Sequence, residues 1–224
     1  MIPELGHFCL VVALCLAAAQ SFFGLAGSAE RRPSWIAVTR PAAYGHFVFV
    51  ALAFGFLTHA MIVNDFSVAY VANHSNSELP LIYRISAVWG AHEGSLLLWG
   101  LILGIWTIAV CALSRNLPAS MSARVIGVLG LVSIGFLLFT LATSNPFDRL
   151  IPAAIEGRDL NPLLQDPALA IHPPMLYMGY VGFAVAFAFA VAAMLEGRLD
   201  ASWAKWTRPW TIAAWIFLTI GIAL

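Results

Sequence analysis

The residue of this chain best placed to do chemistry is a histidine followed by two prolines, His172-Pro173-Pro174. Neutral imidazole is the commonest side-chain metal ligand and a strong haem ligand. The residue before a proline is pushed toward extended geometry, and proline fits the first turn of a helix. The run therefore predicts a helix beginning at about Met175, with His172 held on the loop side of that start. Two roles suit an imidazole so placed: a ligand to metal or haem iron, or a cap that bonds a loop carbonyl. Met175, Tyr177, Met178 and Tyr180 follow in the first turns, and Gly179 and Gly182 allow another helix or a flat ligand to approach closely. Together they can wall a flat apolar ring, although ordinary helix packing is the simpler account of any one of them.

A second cluster lies in Trp89–Trp106, WGAHEGSLLLWGLILGIW. His92, Leu96, Trp99, Leu103 and Trp106 recur at spacings of four and three, so they share one helical face. Glu93 falls near a helix N-terminus, where the helix dipole favours a carboxylate. The His92–Glu93 pair either orients a ligand or ties down the long polar stretch before it. Tryptophans at such a boundary are also routine interface residues. His59 is expected on the same side as His172 in a supporting role, His46 at the opposite end of its helix, and His7 and His74 at an interface and in a loop. The sequence contains no HxxxH, HExxH, Walker loop, GxGxxG or nucleophile elbow, which argues against a zinc enzyme, a nucleotide-dependent enzyme or a hydrolase of those types. Cys9, Cys15 and Cys111 sit in apolar runs without CxxC spacing and read as inert core thiols.

Composition identifies the elements that must position these residues. Of 224 residues 61% are hydrophobic and only 10% charged, with a mean hydropathy of +0.88. Apolar runs of about 20 residues recur, each sufficient to cross a hydrocarbon core of about 30 Å. They are continuous and not dyadic, so helices and not a barrel satisfy the backbone in lipid. The expected fold is an all-α polytopic membrane protein forming one membrane domain. About six spans are expected, near residues 5–27, 42–63, 95–113, 125–143, 175–195 and 210–224. The second is read as opened by Pro41 and the sixth as starting near Trp210. The first is not a secretory signal, because Glu4 precedes it and Arg31 and Arg32 follow it, the reverse of a signal peptide's charge order. The large–small alternation of FAVAFAFAVAA would suit a strand, but its length and setting favour a helix.

Charge sets the expected orientation. Arg31, Arg32, Arg40, Arg115, Arg124, Arg198, Lys205 and Arg208, eight of the eleven basic residues, fall in alternate connections. Arg84, Arg149 and Arg158 fall in the others. The positive-inside rule then puts the first set in the cytoplasm, the N-terminus outside, and the two long polar stretches, 64–94 and 144–174, on the outer face with His172. Connections this long are usually functional or disordered, and their content of Trp, Tyr, Leu and Pro favours folded function. The net charge is zero, which gives no reason to expect nucleic acid as a partner.

Three stretches carry a family resemblance: WGAHEGSLLLW, HPPMLYMGYVGFAVAFAFA and GRLDASWAKWTRPWTIAAWIFLTIGIAL. They resemble the N-terminal part of the CcmF family, the large haem-lyase membrane subunits of cytochrome c maturation, and the similarity runs along essentially the whole chain. The resemblance implies a multi-pass protein of the bacterial inner membrane with its active face to the periplasm. It implies a site that receives b-type haem from a haem chaperone, and works with other haem lyase subunits to join it to the CxxCH cysteines of apocytochrome c. By the same resemblance His172 is one of two outward axial haem ligands. The family continues past the equivalent of Leu224 to a second haem-ligating histidine, so the chain is expected to be the N-terminal part of a longer or split subunit, with lyase activity belonging to the assembled protein. Two other classes compete. A ligand-free assembly subunit fits the same helices. A secondary transporter fits less well, since the middles of the spans lack Asp, Glu, Lys, Arg and His.

Overall fold

The computed structural model describes residues 1–114, 116–197 and 201–224. Six long helices build it: α1 (Ile2–Ala29), α2 (Pro33–Ile62), α5 (His92–Leu113), α6 (Ala119–Thr143), α7 (Pro167–Glu196) and α8 (Ala201–Ala223), with short α3 (Ala69–His74) and α4 (Leu81–Ser86) between the second and the fifth. Among the described residues α1, α2, α5, α6 and α7 are each long and apolar enough to cross a membrane. The sixth long helix, α8, carries Lys205 and Arg208 in its first half. The chain is an all-α polytopic membrane protein. Arg115 and Arg198, counted above for orientation, lie outside the described residues.

Every long helix starts before the sequence reading, and α2, α7 and α8 do so by the most, each with a proline left inside it. α7 begins at Pro167, not Met175, so Pro173 and Pro174 lie inside it and His172 is helical, its sixth residue. Asp166 is the N-cap, accepting from the backbone N–H groups of Ala168 at 2.8 Å and Leu169 at 3.1 Å. An acidic cap followed by proline at the first helical position is a stronger start signal than HPP, whose prolines fall too deep to begin anything. α2 likewise starts at Pro33 and runs through Pro41, and α8 starts at Ala201 and runs through Pro209. Neighbouring helices in a membrane bundle can accommodate what an interior proline disrupts.

Two buried clusters fill the bundle. One joins Cys9, Leu10, Val50, Leu57 and Met61 to Tyr70, Val88 and Leu160 at the end that carries α3 and α4. The other joins Leu103, Trp106, Val110, Ile126, Val185 and Phe189 toward the opposite end. α7 and α8 pack closely because glycines remove side chains at their crossing. A Cβ on Gly179 would come within 2.4 Å of the Leu218 backbone, and one on Gly221 within 2.6 Å of the Leu176 backbone.

The two long polar stretches fold against each other into a cap over one end. Leu150 N–H donates to Ser67 O at 2.8 Å, Ala69 N–H to Asp148 O at 2.8 Å, and Arg158 N–H to Ala72 O at 2.8 Å. Glu156 accepts from the Ser77 hydroxyl at 2.7 Å and the Ser77 N–H at 3.0 Å. The Ser77 hydroxyl, with help from the backbone N–H groups of Gly157 and Ser77, holds the Glu156 carboxyl below its ordinary range. Arg149 ties the cap to α1 through Glu4 at 3.2 Å and reaches Asp65 at 3.5 Å.

Candidate functional site

The WGAHEG turn enters α5 through a hook. The 3₁₀ turn Ala87–Trp89 leads to Gly90, and Ser95 donates its hydroxyl back to Trp89 O at 2.8 Å. Tyr70 of α3 reaches into the hook: its hydroxyl lies 3.1 Å from both Ala87 O and Val88 O and accepts from Ala91 N–H at 3.2 Å. Burial pushes this phenol above its ordinary range, and the nearby Glu93 and Tyr177 push the same way, so it stays a neutral donor. At Gly94 a Cβ would stand 1.7 Å from Val88 O and 2.5 Å from Tyr70 Oη, so no other residue fits there.

The hook is coupled to the HPP turn by one hydrogen bond. Proline has no N–H, so Pro174 leaves the carbonyl of Ala170, four residues earlier, without its helical donor. Trp89 Nε1 donates to that carbonyl at 3.0 Å. Farther along, Trp106 Nε1 donates to Met178 O at 3.1 Å, and its ring lies against Gly182, where a Cβ would meet it at 2.8 Å. Two tryptophans of the second sequence cluster thus hold the backbone of α7 on either side of Met175.

His172 lies in the first turns of α7, two residues past the Ala170 carbonyl that Trp89 holds. Its ring is half-buried and makes no hydrogen bond, ion pair or ring contact with any described residue. An imidazole on a fixed backbone with uncommitted nitrogens has the chemistry of a ligand to a metal or haem iron. No group of three or more His, Cys, Asp or Glu side chains among the described residues could enclose a metal ion, so this ligand is offered singly. Met175 follows His172 by three residues and is likewise half-buried. Tyr177 and Tyr180 meet edge to face at 5.0 Å, Tyr180 exposed and Tyr177 packed against the second buried cluster.

The remaining candidates scatter. His92 is exposed and meets Phe139 of α6 edge to face at 6.0 Å, while Trp99 on the same face stacks on Phe136 at 3.4 Å. Glu93 is half-buried in the first turn of α5. His59 is exposed in a shallow groove with Ile2, Leu52 and Phe56, formed by α1 and α2 alone and apart from the HPP turn. A cavity of about 480 Å³ lined by Trp106, Phe189, Trp206 and Trp210 opens at the end of the bundle away from His172. Sequence reasoning missed Tyr70, the Trp89 hydrogen bond and the Asp166 cap. Only the last had a local signal, the Asp-Pro pair.

Fold and site together define a class: a multi-pass helical membrane protein with a folded cap and one free histidine on a clamped, proline-bearing helix. Within that class, the sequence pattern of the family described as cytochrome C assembly protein matches residues 89–224, beginning at the tryptophan that holds α7. The chain belongs to that family. It is 64% identical over 225 residues to the cytochrome c-type biogenesis protein CcmF of Pseudomonas aeruginosa, covering 100% of this chain and 34% of that protein. It is 56% identical over 225 residues to the protein of the same name from Escherichia coli, again over 100% of this chain and 35% of the relative. Among solved structures it is similar to one of the Cytochrome c Heme Lyase CcmF, with a TM-score of 0.86 and 32% identity over 99% of this chain and 35% of that one. The chain spans about a third of the length of these relatives.

Proposed function

We propose that this chain supplies one half of an outer-face haem-handling site in a cytochrome c haem lyase, with His172 as an axial ligand to the iron. The carrying observation is the half-buried His172 ring without a partner among the described residues, on a helix whose freed Ala170 carbonyl is held by Trp89. The second axial histidine is proposed to lie outside these 224 residues. Along the α7–α8 crossing Gly182 meets Ala214, Gly179 meets Leu218 and Gly221 meets Leu176, which keeps the two helices in one register.

When bound, haem supplies the iron and the vinyl groups that become linked to the cysteine thiols of a CxxCH segment. The protein's own work is placement. His172 fixes one direction in space, Trp89 and Trp106 keep the α7 backbone from yielding, and Met175, Tyr177 and Tyr180 offer an apolar and aromatic wall. Holding reactants in one geometry can supply several kcal/mol, up to about 7–11 in well-oriented systems. Glu93, beside Tyr70, supports the hook, and His92 and His59 are assigned supporting places at most. Haem is proposed to arrive as b-type haem from a haem chaperone and to leave on apocytochrome c. The setting is a haem lyase complex in the bacterial inner membrane, with the cap facing the periplasm.

The test is His172→Gly in the assembled protein. Cytochrome c maturation should stop and the Soret band of the outer haem should be lost, while added imidazole partly restores both. A variant made at normal levels that keeps its haem spectrum and still matures cytochrome c would show His172 to be a helix residue only.

A further inference from the structure

The cleft between α2 and α6, at the end of the bundle away from the cap, is built like an anion site. It has a volume of about 300 Å³ and is lined by Thr39 and Arg40 of α2 and Ala119, Ser122 and Ala123 of α6, among others. Arg40 Nη2 donates to Ser122 Oγ at 3.2 Å and meets no carboxylate among the described residues. Thr39 is 1% exposed, and its hydroxyl has no partner even though it borders the cleft. The N-cap of α6 is Pro118, which offers no side-chain acceptor, and its carbonyl takes only the Ser122 N–H. The first N–H groups of this 25-residue helix, whose first residue Ala119 lines the cleft, therefore lack capping partners.

The carboxylate bonded to the first turn of α6 serves another face. Glu196 accepts from the Ser120 hydroxyl at 3.0 Å and pairs with Arg124 at 3.6 Å. Ser120 and Ser122 project about 200° apart around α6, so Glu196 compensates the side turned away from Arg40. What remains is a guanidinium, two buried hydroxyls and an uncapped helix N-terminus converging on one cleft. Guanidinium forks and helix N-termini are the usual partners of phosphate oxygens. There is also one acceptor: Pro41 has no N–H to give to the Ala37 carbonyl, and Ala37 lines the same cleft. A phosphodiester whose headgroup carries a hydroxyl matches this set.

We propose that this cleft binds a phosphate group, with Arg40, Thr39, Ser122 and the N-terminus of α6 as its donors. Pockets of this kind between helices on the cytoplasmic side take anionic lipid headgroups, and the side here is that of Arg31, Arg32, Arg124, Lys205 and Arg208. The site is separate from the haem-handling reading and does not depend on it.

The experiment follows thermal unfolding of the delipidated full chain in detergent. Titrants are phosphatidylglycerol, phosphatidylcholine and inorganic phosphate, applied to the wild type, Arg40→Gln and Thr39→Val. Phosphatidylglycerol should raise the midpoint of the wild type and phosphatidylcholine should not. Arg40→Gln should raise the half-saturating concentration about tenfold to a hundredfold, the loss expected for a charged hydrogen bond. Thr39→Val removes an unpaired hydroxyl at nearly constant shape, so it should stabilise the empty protein yet weaken the response. If inorganic phosphate alone reproduces the effect, the phosphate is a free one and the site stands. Equal responses of the wild type and Thr39→Val to phosphatidylglycerol and to inorganic phosphate overturn the proposal, even if Arg40→Gln fails to fold.

Discussion

Trp89 illustrates how one side chain can decide the use of another it never touches. Its indole N–H replaces the donor that Pro174 lacks, and so fixes the turn that carries His172. Trp89→Phe keeps a ring there and deletes the donor, leaving a half-buried carbonyl unpaired at a cost of about 1 kcal/mol. The expected result is a small drop in unfolding midpoint with a clearly larger drop in haem retention, read from the Soret band. Equal loss of haem and of fold would reduce Trp89 to packing. Glu93→Gln should impair maturation less than any loss at His172, within the roughly 10–100-fold common for groups that support a ligand. If it abolished haem attachment at normal protein levels, Glu93 would have a direct chemical part. At this scale the sequence was legible where a residue acts through its immediate neighbours. The tryptophans stood out by type and spacing, and so did His172, although it is helical and not held before a helix start. Trp89's partner did not, because 81 residues separate the two groups.

At the scale of elements, prolines were the main source of misreading. Pro41 and Pro173 each suggested a boundary and each lies inside a helix, and the sixth span, read as starting near Trp210, runs through Pro209. The rule that proline ends helices presumes that nothing else can satisfy the freed carbonyl, and Trp89 is a counterexample. Glycines were easier to read: Gly179 and Gly182 hinted at close packing, and both lie at close approaches, whereas Gly94 gave no such hint. Gly94→Ala should collapse the hook, since its Cβ would stand 1.7 Å from Val88 O. A loss of about 1–3 kcal/mol or more is expected from such overpacking, visible as faster hydrogen exchange at Ala91 and Ser95. The clasp between the two polar stretches should respond to acid. The folded-state pKa of Glu156 is lowered, so its contribution is complete above the unfolded value of 4.5 and is lost as pH falls through the folded one. Amide protection at Ser77 and Gly157 should fall in that window and be indifferent to pH between 6 and 8. Glu156→Gln should remove the pH dependence, and an unchanged profile in that variant would assign the clasp to other contacts.

For the whole molecule, the class was readable from composition alone, because lipid leaves the backbone few choices. The cap was not. Its segments look like two unrelated polar connections in sequence, and their pairing depends on α5 and α6 bringing their ends together. Orientation is tested with reporter fusions: one at Arg32 should report the cytoplasm, and fusions at Ser75 and Gly157 the outside. A cytoplasmic signal at Gly157 would reverse the proposed topology and remove the cap, with His172, from the periplasm.

The pairing of Ser77 with Glu156, 79 residues apart, and of Asn76 with Asp159, 83 apart, also sets an order of events during synthesis. At about 5–20 residues per second, the first polar segment emerges about 4–16 s before its partner exists. During that interval Tyr70 and the WGAHEG hook have no second segment to close over them, and Gly90 lacks the Leu160 and Leu164 side chains that later cover it. The capped face is therefore completed late, after α6 has been inserted. A protease supplied on the side of the cap to stalled nascent chains should cut between Asn64 and Tyr83 until residue 165 has reached that side, and much more slowly afterwards.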